Sequence, residues 1–528
     1  MKNILFITSD QQHWSALGRL NPEVKTPNLD RLAASGCAFG RAYTVNPTCT
    51  PTRASWLTGL YPSQHGAWSL GTKLPENVPT VTDEFRKGGF KSALVGKAHF
   101  QPLRSTPEYP SLEAYPILHD LDFWRRFGEN GERFYGFDTV ELARNHTDEA
   151  HVGQHYALWL ESKCGEGGRP HWRDYFLPSA GALRVEGDKF PDSAHTHRKP
   201  GEAWEIPEEL HYDAWIAERV NAHLDGFKAR GENFFLWASF FDPHPDYMAP
   251  EPYASMYDPA QVTVPEHTPG EFDDKPPHFA LTQQENPDFS AYHNDPADGG
   301  GYLHGAHSHL STREKKAKNI ATMYGMMTML DKYVGKILDH LDALGLTRDT
   351  LVVFTSDHGD FLGQHGLTHK CIHHYEDLLR VPLIASCPGT IPAAAANDTL
   401  QSTVDLAPTF LSFAGLPVPR TMTGLDMRAN WESAAAPVAE SPRRHIICEN
   451  HHNPTTFHCE TLVSGDHKIT VYRNADYGEL FDLAADPREL VNLWDAPAAA
   501  ALKSRLLHEF AQAHMEIQPI PMPRVFGA

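Results

Sequence analysis

TLVVFTSDHGD, residues 350–360, joins a β-branched and aromatic run to two aspartates and a histidine. The run 350–356 is short for a helix, and its composition suits a strand buried on both faces of a parallel sheet. Three other runs share the design. NILFIT (3–8) is followed by Ser9, Asp10 and Gln11, KSALVG (91–96) by Lys97, Ala98 and His99, and NFFLWASFF (233–241) by Asp242, Pro243 and His244. Helical patterns lie between them. TPNLDRLAASG (26–36) carries Leu29, Leu32 and Ala33 at helical spacing and stops at Gly36, and 80–90 and 311–345 behave alike. Alternating buried strands and amphipathic helices imply an α/β sandwich with a mainly parallel sheet. Open α/β sheets bind ligands at the carboxyl ends of their strands. A polar residue in a turn explains any one of these strand ends, but four together point to a site.

The totals bound the rest. A chain of 528 residues, 41% hydrophobic and 11% aromatic, accommodates one large globular domain and a smaller one. A formal net charge of −21 argues against nucleic acid and against an anionic membrane surface as partners. It leaves an anionic substrate open, because charges beyond about 10 Å are screened. The opening MKNILFITSD has too short an apolar run for a signal peptide, and no window reaches the roughly 20 apolar residues of a membrane span. The expectation is a cytoplasmic protein. Seven scattered cysteines without paired spacing read as free thiols.

Residues 101–215 and 243–310 are rich in Pro, Gly, His and aromatics and read as insertions over one end of the sheet. The catalytic α/β domain is expected over 1–390. A smaller α+β domain follows over 391–528, with antiparallel strands at 467–473 and 478–483 and a helix at 498–515. The tail EIQPIPMPRVFGA (516–528) is interrupted by prolines and cannot be helical throughout. It is expected to reach a neighbouring subunit of a homo-oligomer.

Asp10, Gln11, Asp357 and His358 offer two carboxylates, an amide oxygen and an imidazole, a set able to hold one divalent ion. The plain alternative is that Asp10 caps a helix and Gln11 belongs to a loop. NPTCTPTRASWLTGLYPSQHG (46–66) then sets Cys49 in front of a helical pattern, with Arg53 one turn on. Cys49 has three readings: a thiolate nucleophile, an inert thiol, or a modification site supplying a nucleophile that cysteine lacks. The cysteine loop of tyrosine phosphatases has a longer gap to its arginine, which disfavours that version.

Cys49-Thr50-Pro51-Thr52-Arg53, followed by Ala54-Ser55 and Leu57-Thr58-Gly59, resembles the signature of the type I sulfatases of the alkaline phosphatase superfamily. ILFITSDQQ, KTPNLDRLAASGCAF, GKAHF, FFDPHPDY, TSDHGDFLGQHGLTHK, YEDLLRVPLI and GELFDLAADPRELVNL match other motifs of that family, so the resemblance spans nearly the whole chain outside the insertions. It implies an alkaline-phosphatase-like fold, a large mainly parallel sheet flanked by helices plus a small C-terminal antiparallel sheet. It also implies oxidation of Cys49 to formylglycine by a maturation enzyme, and hydrolysis of a small anionic sulfate ester. Asp10, Gln11, Asp357 and His358 match its metal ligands, with the residue at 49 as nucleophile. Arg53 matches the residue steadying the nucleophile, Lys97 and His99 the basic pair at the transferred group, and His244 and Lys370 the leaving-group side. Gln11 and His358 depart from the more common Asp and Asn, which brings manganese in beside calcium. A similar set occurs in phosphonate monoester and phosphodiester hydrolases of the superfamily, the alternative activity. A non-catalytic binding homologue would be expected to have lost one of Cys49, Arg53, Lys97 or Asp357. Residues 136–138, 145–155 and 301–311 are candidate pocket walls, with a choline, aromatic or sugar sulfate ester all open.

Overall fold

The computed structural model describes residues 3–525 apart from 145, 150, 165–171, 177–202, 293–304, 306–307, 371, 434–440, 453–455 and 523. Its main sheet has eight strands: β1 (Asn3–Ser9), β2 (Cys37–Phe39), β3 (Lys91–Lys97), β4 (Thr139–Ala143), β5 (Phe234–Ser239), β6 (Thr350–Ser356), β7 (Leu383–Ser386) and β8 (Ala395–Asn397). Their order is β8-β2-β7-β6-β1-β5-β3-β4, all parallel except β7. The four strands read from the sequence form the centre.

Side chains alternate between the two faces of these strands. Leu5, Ile7, Leu236, Ala238, Val352 and Phe354 pack on one face beneath the helices Tyr212–Arg230 and Arg313–Ala343. Ile4, Phe6, Phe235, Trp237, Leu351 and Val353 pack on the other beneath Cys49–Thr58, Val81–Lys87 and Leu406–Phe413. Burial on both faces explains why these strands read as unbroken apolar runs.

Two expectations change. The stretch 101–215 supplies the edge strand β4 and the helix Gln154–Lys163, so it is partly sheet rather than only an insertion. The large sheet takes β8 from beyond residue 390, and Leu406–Phe413 packs in its core, so 390 falls inside the chain of the large sheet. Beyond it, four antiparallel strands, His445–His451, His458–Ser464, His467–Tyr472 and Gly478–Asp482, bury Ile447, Leu462, Ile469 and Leu480 against the helix Ala500–Glu516. At the seam between the sheets, Lys468 pairs with Glu489 and lies 3.5 Å from Glu376. Among the described residues no helix is long and apolar enough to cross a membrane.

Candidate active site

Register builds the site. Ser9 pairs with Ser356 across β1 and β6, so the next residues, Asp10 and Asp357, emerge level at the sheet edge. Beside them Thr8 pairs with Ser239 and Gly96 with Ser239, which brings out Lys97. Gly96 has φ +111, and a Cβ there would lie 1.9 Å from the Ser239 carbonyl oxygen, so only glycine lets β3 close on β5. The turn after Lys97 is held by Glu113, which accepts hydrogen bonds from the backbone N–H groups of His99, Phe100 and Gln101 at 2.7–2.8 Å.

Cys49 opens the helix Cys49–Thr58, every residue of which is buried. Its Sγ lies 3.3 Å from Lys370 Nζ, 3.3 Å from His358 Nε2 and 3.6 Å from Asp10 Oδ1. Arg53, one turn on, donates from Nε to Asp357 Oδ2 at 2.8 Å and from Nη1 to Ser239 Oγ at 2.8 Å and the Lys97 carbonyl at 3.1 Å. It therefore ties the Cys49 helix to three strand ends. Lys97 pairs with Asp10, and Lys370 Nζ is 3.2 Å from His244 Nε2.

The ligating atoms of Asp10, Cys49, Asp357 and His358 all fall within 4.8 Å of one another. Each is oriented from behind. His358 Nδ1 faces the Gly359 carbonyl at 2.9 Å, which keeps the proton there and leaves the Nε2 lone pair toward Cys49. Gln11 Nε2 donates to Asp360 Oδ1 at 3.0 Å, while Gln11 Oε1 is buried with no hydrogen-bond partner. An orphaned buried oxygen beside two carboxylates and an imidazole is what a cation site requires, so the donor set fits a divalent ion.

Charge compensation sets the proton states. Burial raises the Asp10 carboxyl, but Lys97, with Arg53 also near, outweighs it and holds Asp10 well below the usual carboxylate range. Burial and Asp10 push the Cys49 thiol up, Lys370 and Lys97 pull it down, and it settles at about 7. Burial lowers Lys370, yet Cys49 and Asp10 more than restore it, so its ammonium is held more firmly than usual. Burial, aided by His146 and Lys370, drives His244 well below the histidine range, and burial with Arg144 and Lys97 does the same to His99.

The structure brings nine of the ten sequence-derived residues into this contact network. His99 stands slightly apart: no hydrogen bond joins it to Cys49, and its Nδ1 is buried without a partner. His146 enters instead. Its ring stacks on His244 with centroids 3.7 Å apart, and its Nε2 is 2.8 Å from Lys97 Nζ and 3.7 Å from Asp10 Oδ2. It belongs to the 145–155 candidate wall, whose signal was histidine density. His155 of that stretch instead accepts from the Leu142 N–H. Residues 136–138 are no wall: Phe137 lies in the core and Asp138 accepts from the Ser92 N–H. Most of 301–311 lies outside the described residues.

Comparisons with known proteins bear on the family and the fold. A multifunctional alkaline phosphatase superfamily protein of Trinickia caryophylli, PehA, is 28% identical over 540 residues, spanning 95% of this chain and 93% of its own. An arylsulfatase of Clostridium perfringens is 27% identical over 499 residues, spanning 93% and 90%. A phosphonate monoester hydrolase of Silicibacter pomeroyi shares the fold, with a TM-score of 0.76 at 24% identity over 99% of this chain and 96% of that one. The C-terminal model of N-sulphoglucosamine sulphohydrolase matches residues 363–516. The sulfatase model matches residues 2–416, and the chain belongs to the sulfatase family.

Proposed function

We propose that this enzyme hydrolyses sulfate monoesters, with Cys49 converted to formylglycine as its nucleophilic position. The observation carrying this reading is the setting of Cys49: fully buried, 3.3 Å from Lys370 and His358, and held on the helix that Arg53 locks to the sheet. A hydrated aldehyde at this carbon supplies two hydroxyls, one to displace the ester oxygen and one whose deprotonation releases sulfate without a second attack by water. Asp10, Gln11, Asp357, His358 and residue 49 would hold a divalent ion, which would supply Lewis acidity at the nucleophilic position. The imidazole of His358 makes manganese a candidate beside calcium.

The chain's own residues do the rest. Arg53, Lys97 and Lys370 set positive charge around the sulfuryl oxygens, where the transition state is negative. Lys370 keeps its proton and His244, 3.2 Å away, is neutral, so the pair can pass a proton to the departing ester oxygen. His99 is likewise a neutral imidazole with an open Nδ1, the state of a proton acceptor. His146, between Lys97 and His244, fixes both. The same reading includes a small anionic ester as substrate, a maturation enzyme as partner, and a cytoplasmic homo-oligomer. A monodisperse monomer by light scattering would remove the oligomer.

The test is the mass of the tryptic peptide 42–53, with turnover measured on the same sample. Aldehyde in place of thiol, together with metal-dependent hydrolysis of an aryl sulfate, supports the proposal. An unmodified thiol in a fully active sample would overturn it. The Gln11 and His358 ligands favour one second reading, a phosphonate monoester or phosphodiester hydrolase. Higher kcat/KM for an aryl phosphonate monoester than for the aryl sulfate would establish that order.

A further inference from the structure

Gln11 carries a donor and an acceptor on one amide, and a half-turn about its last side-chain bond exchanges them. Only the oxygen can face a cation. The backbone is already fixed: Gln11 is 1% exposed, has φ +54, and its N–H donates to Asp357 Oδ1 at 2.9 Å. The sense of the amide is what remains to be set.

Asp360 faces that amide. Gln11 Nε2 donates to Asp360 Oδ1 at 3.0 Å, which turns Oε1 away and leaves it buried without a hydrogen-bond partner. The other oxygen of Asp360, Oδ2, takes the hydroxyl of Tyr247, three residues after His244. Asp360 and Tyr247 are 1% and 2% exposed. The backbone beneath them is pinned as well. The Gly359 N–H donates to the Leu378 carbonyl at 2.9 Å, and a Cβ on Gly359 would lie 2.1 Å from the Asp377 carbonyl oxygen.

A carboxylate differs from its isostere asparagine in one respect that matters here: it accepts and does not donate. Asparagine would fill the same space at a lower desolvation cost. It could, however, give its own N–H to Gln11 Oε1, and the ligand amide would then turn its NH₂ toward the cation. Tyr247 holds the carboxylate from the far side, and its ring stacks on His369, next to Lys370, with centroids 6.1 Å apart. One carboxylate therefore joins the Gln11 turn to the loop that carries His244.

We propose that Asp360, held by Tyr247, is a positioning residue that fixes the sense of the Gln11 amide and so presents Oε1 to the divalent ion. This rests on the reading of Asp10, Gln11, Asp357 and His358 as metal ligands. The full-length protein and its variants, matched for the state of residue 49 by peptide mass, are stripped with a chelator and titrated with Mn²⁺. Free Mn²⁺ is read by electron paramagnetic resonance, and folding by circular dichroism. Asp360→Asn should weaken Mn²⁺ binding by about 10–100-fold. Adding Gln11→Glu should restore it to within about threefold, because a carboxylate at 11 accepts from the introduced amide and still turns an oxygen to the ion. Gln11→Glu alone sets two carboxylates face to face, so it should gain less affinity than the same change gains in Asp360→Asn. Equal gains would assign the recovery to added charge and overturn the proposal. Unchanged affinity in folded Asp360→Asn, or no recovery in the double variant, overturns it too. Should Asp360→Asn not fold, the double variant must bind Mn²⁺ within about tenfold of the parent, and weaker binding or failure to fold assigns Asp360 a purely structural role. A parent without a Mn²⁺ ion that Asp357→Asn removes would take away the metal reading itself, whereas a parent ion indifferent to Asp360→Asn removes this proposal alone.

Discussion

Among the ionic clusters buried in the described residues, two serve different ends. At the sheet edge Asp10 and Asp357 meet Arg53, Lys97 and Lys370, and half-buried His99, His146 and His244 open the cluster toward solvent. At the seam Lys468 meets Glu376 and Glu489 beneath the Phe481 ring, with Tyr43 donating to Glu376 at 2.8 Å. The first has cations in excess and keeps Gln11 Oε1 and Arg53 Nη2 without hydrogen-bond partners. The second has two carboxylates for one lysine. Burial and pairing alone therefore do not mark an active site. A surplus of positive charge with unspent polar atoms beside a reactive side chain does.

Substitutions separate the two. Cys49→Ala should lower kcat by at least ~10³-fold with a near-parental circular dichroism spectrum, and activity within tenfold of the parent would break the comparison at its centre. Arg53→Lys keeps the charge but not the fork that spans Asp357, Ser239 and the Lys97 carbonyl. It should cost about 10²–10³-fold in kcat, read by steady-state kinetics. Lys468→Met removes the ammonium that pairs with Glu489 and lies 3.5 Å from Glu376, so it should destabilise by about 3 kcal/mol in denaturant titration while kcat of the folded protein stays within twofold. A kcat loss matching that of Arg53→Lys would mean the seam also shapes the site.

The smallest effect concerns pH. Burial, with Glu376 adjacent, outweighs Lys468 and pushes Glu489 up to about 8. A carboxyl raised in the folded state binds a proton there that the unfolded chain releases near pH 4.5, so stability falls as pH rises from about 4.5 toward 8. Glu489→Gln should flatten that slope by a few degrees in Tm, roughly the effect of ~2 kcal/mol. Equal slopes in parent and variant would assign the titration elsewhere.

The centre of the fold was legible because β1, β3, β5 and β6 are buried on both faces and spell out their burial locally. The two pairs of candidate ligands and Lys97 follow directly from those strand ends. Strand β7 was not legible: four residues, LIAS, run against their neighbours, and direction leaves no trace in composition. His146 reaches Lys97 only because β4 joins the sheet edge, and β4 lies in a stretch whose alternation is weak. Glu113 gave no signal, since its partners are backbone amides that any sequence provides.

The burial of Cys49 also sets a clock. Its 0% exposure leaves no surface for another protein to grip once the sheet has closed. Closure needs Asp357, which pairs with Arg53 from 304 residues further along the chain. At about 5–20 residues per second, a ribosome takes roughly 15–60 s to cover that distance. The conversion proposed for Cys49 belongs to that interval, while residues 46–66 are still loose. In a host where the converting enzyme is scarce, chains that finish before being visited close over their thiol. Such a preparation would hold two populations fixed at synthesis, and later addition of the enzyme to the folded protein would not merge them.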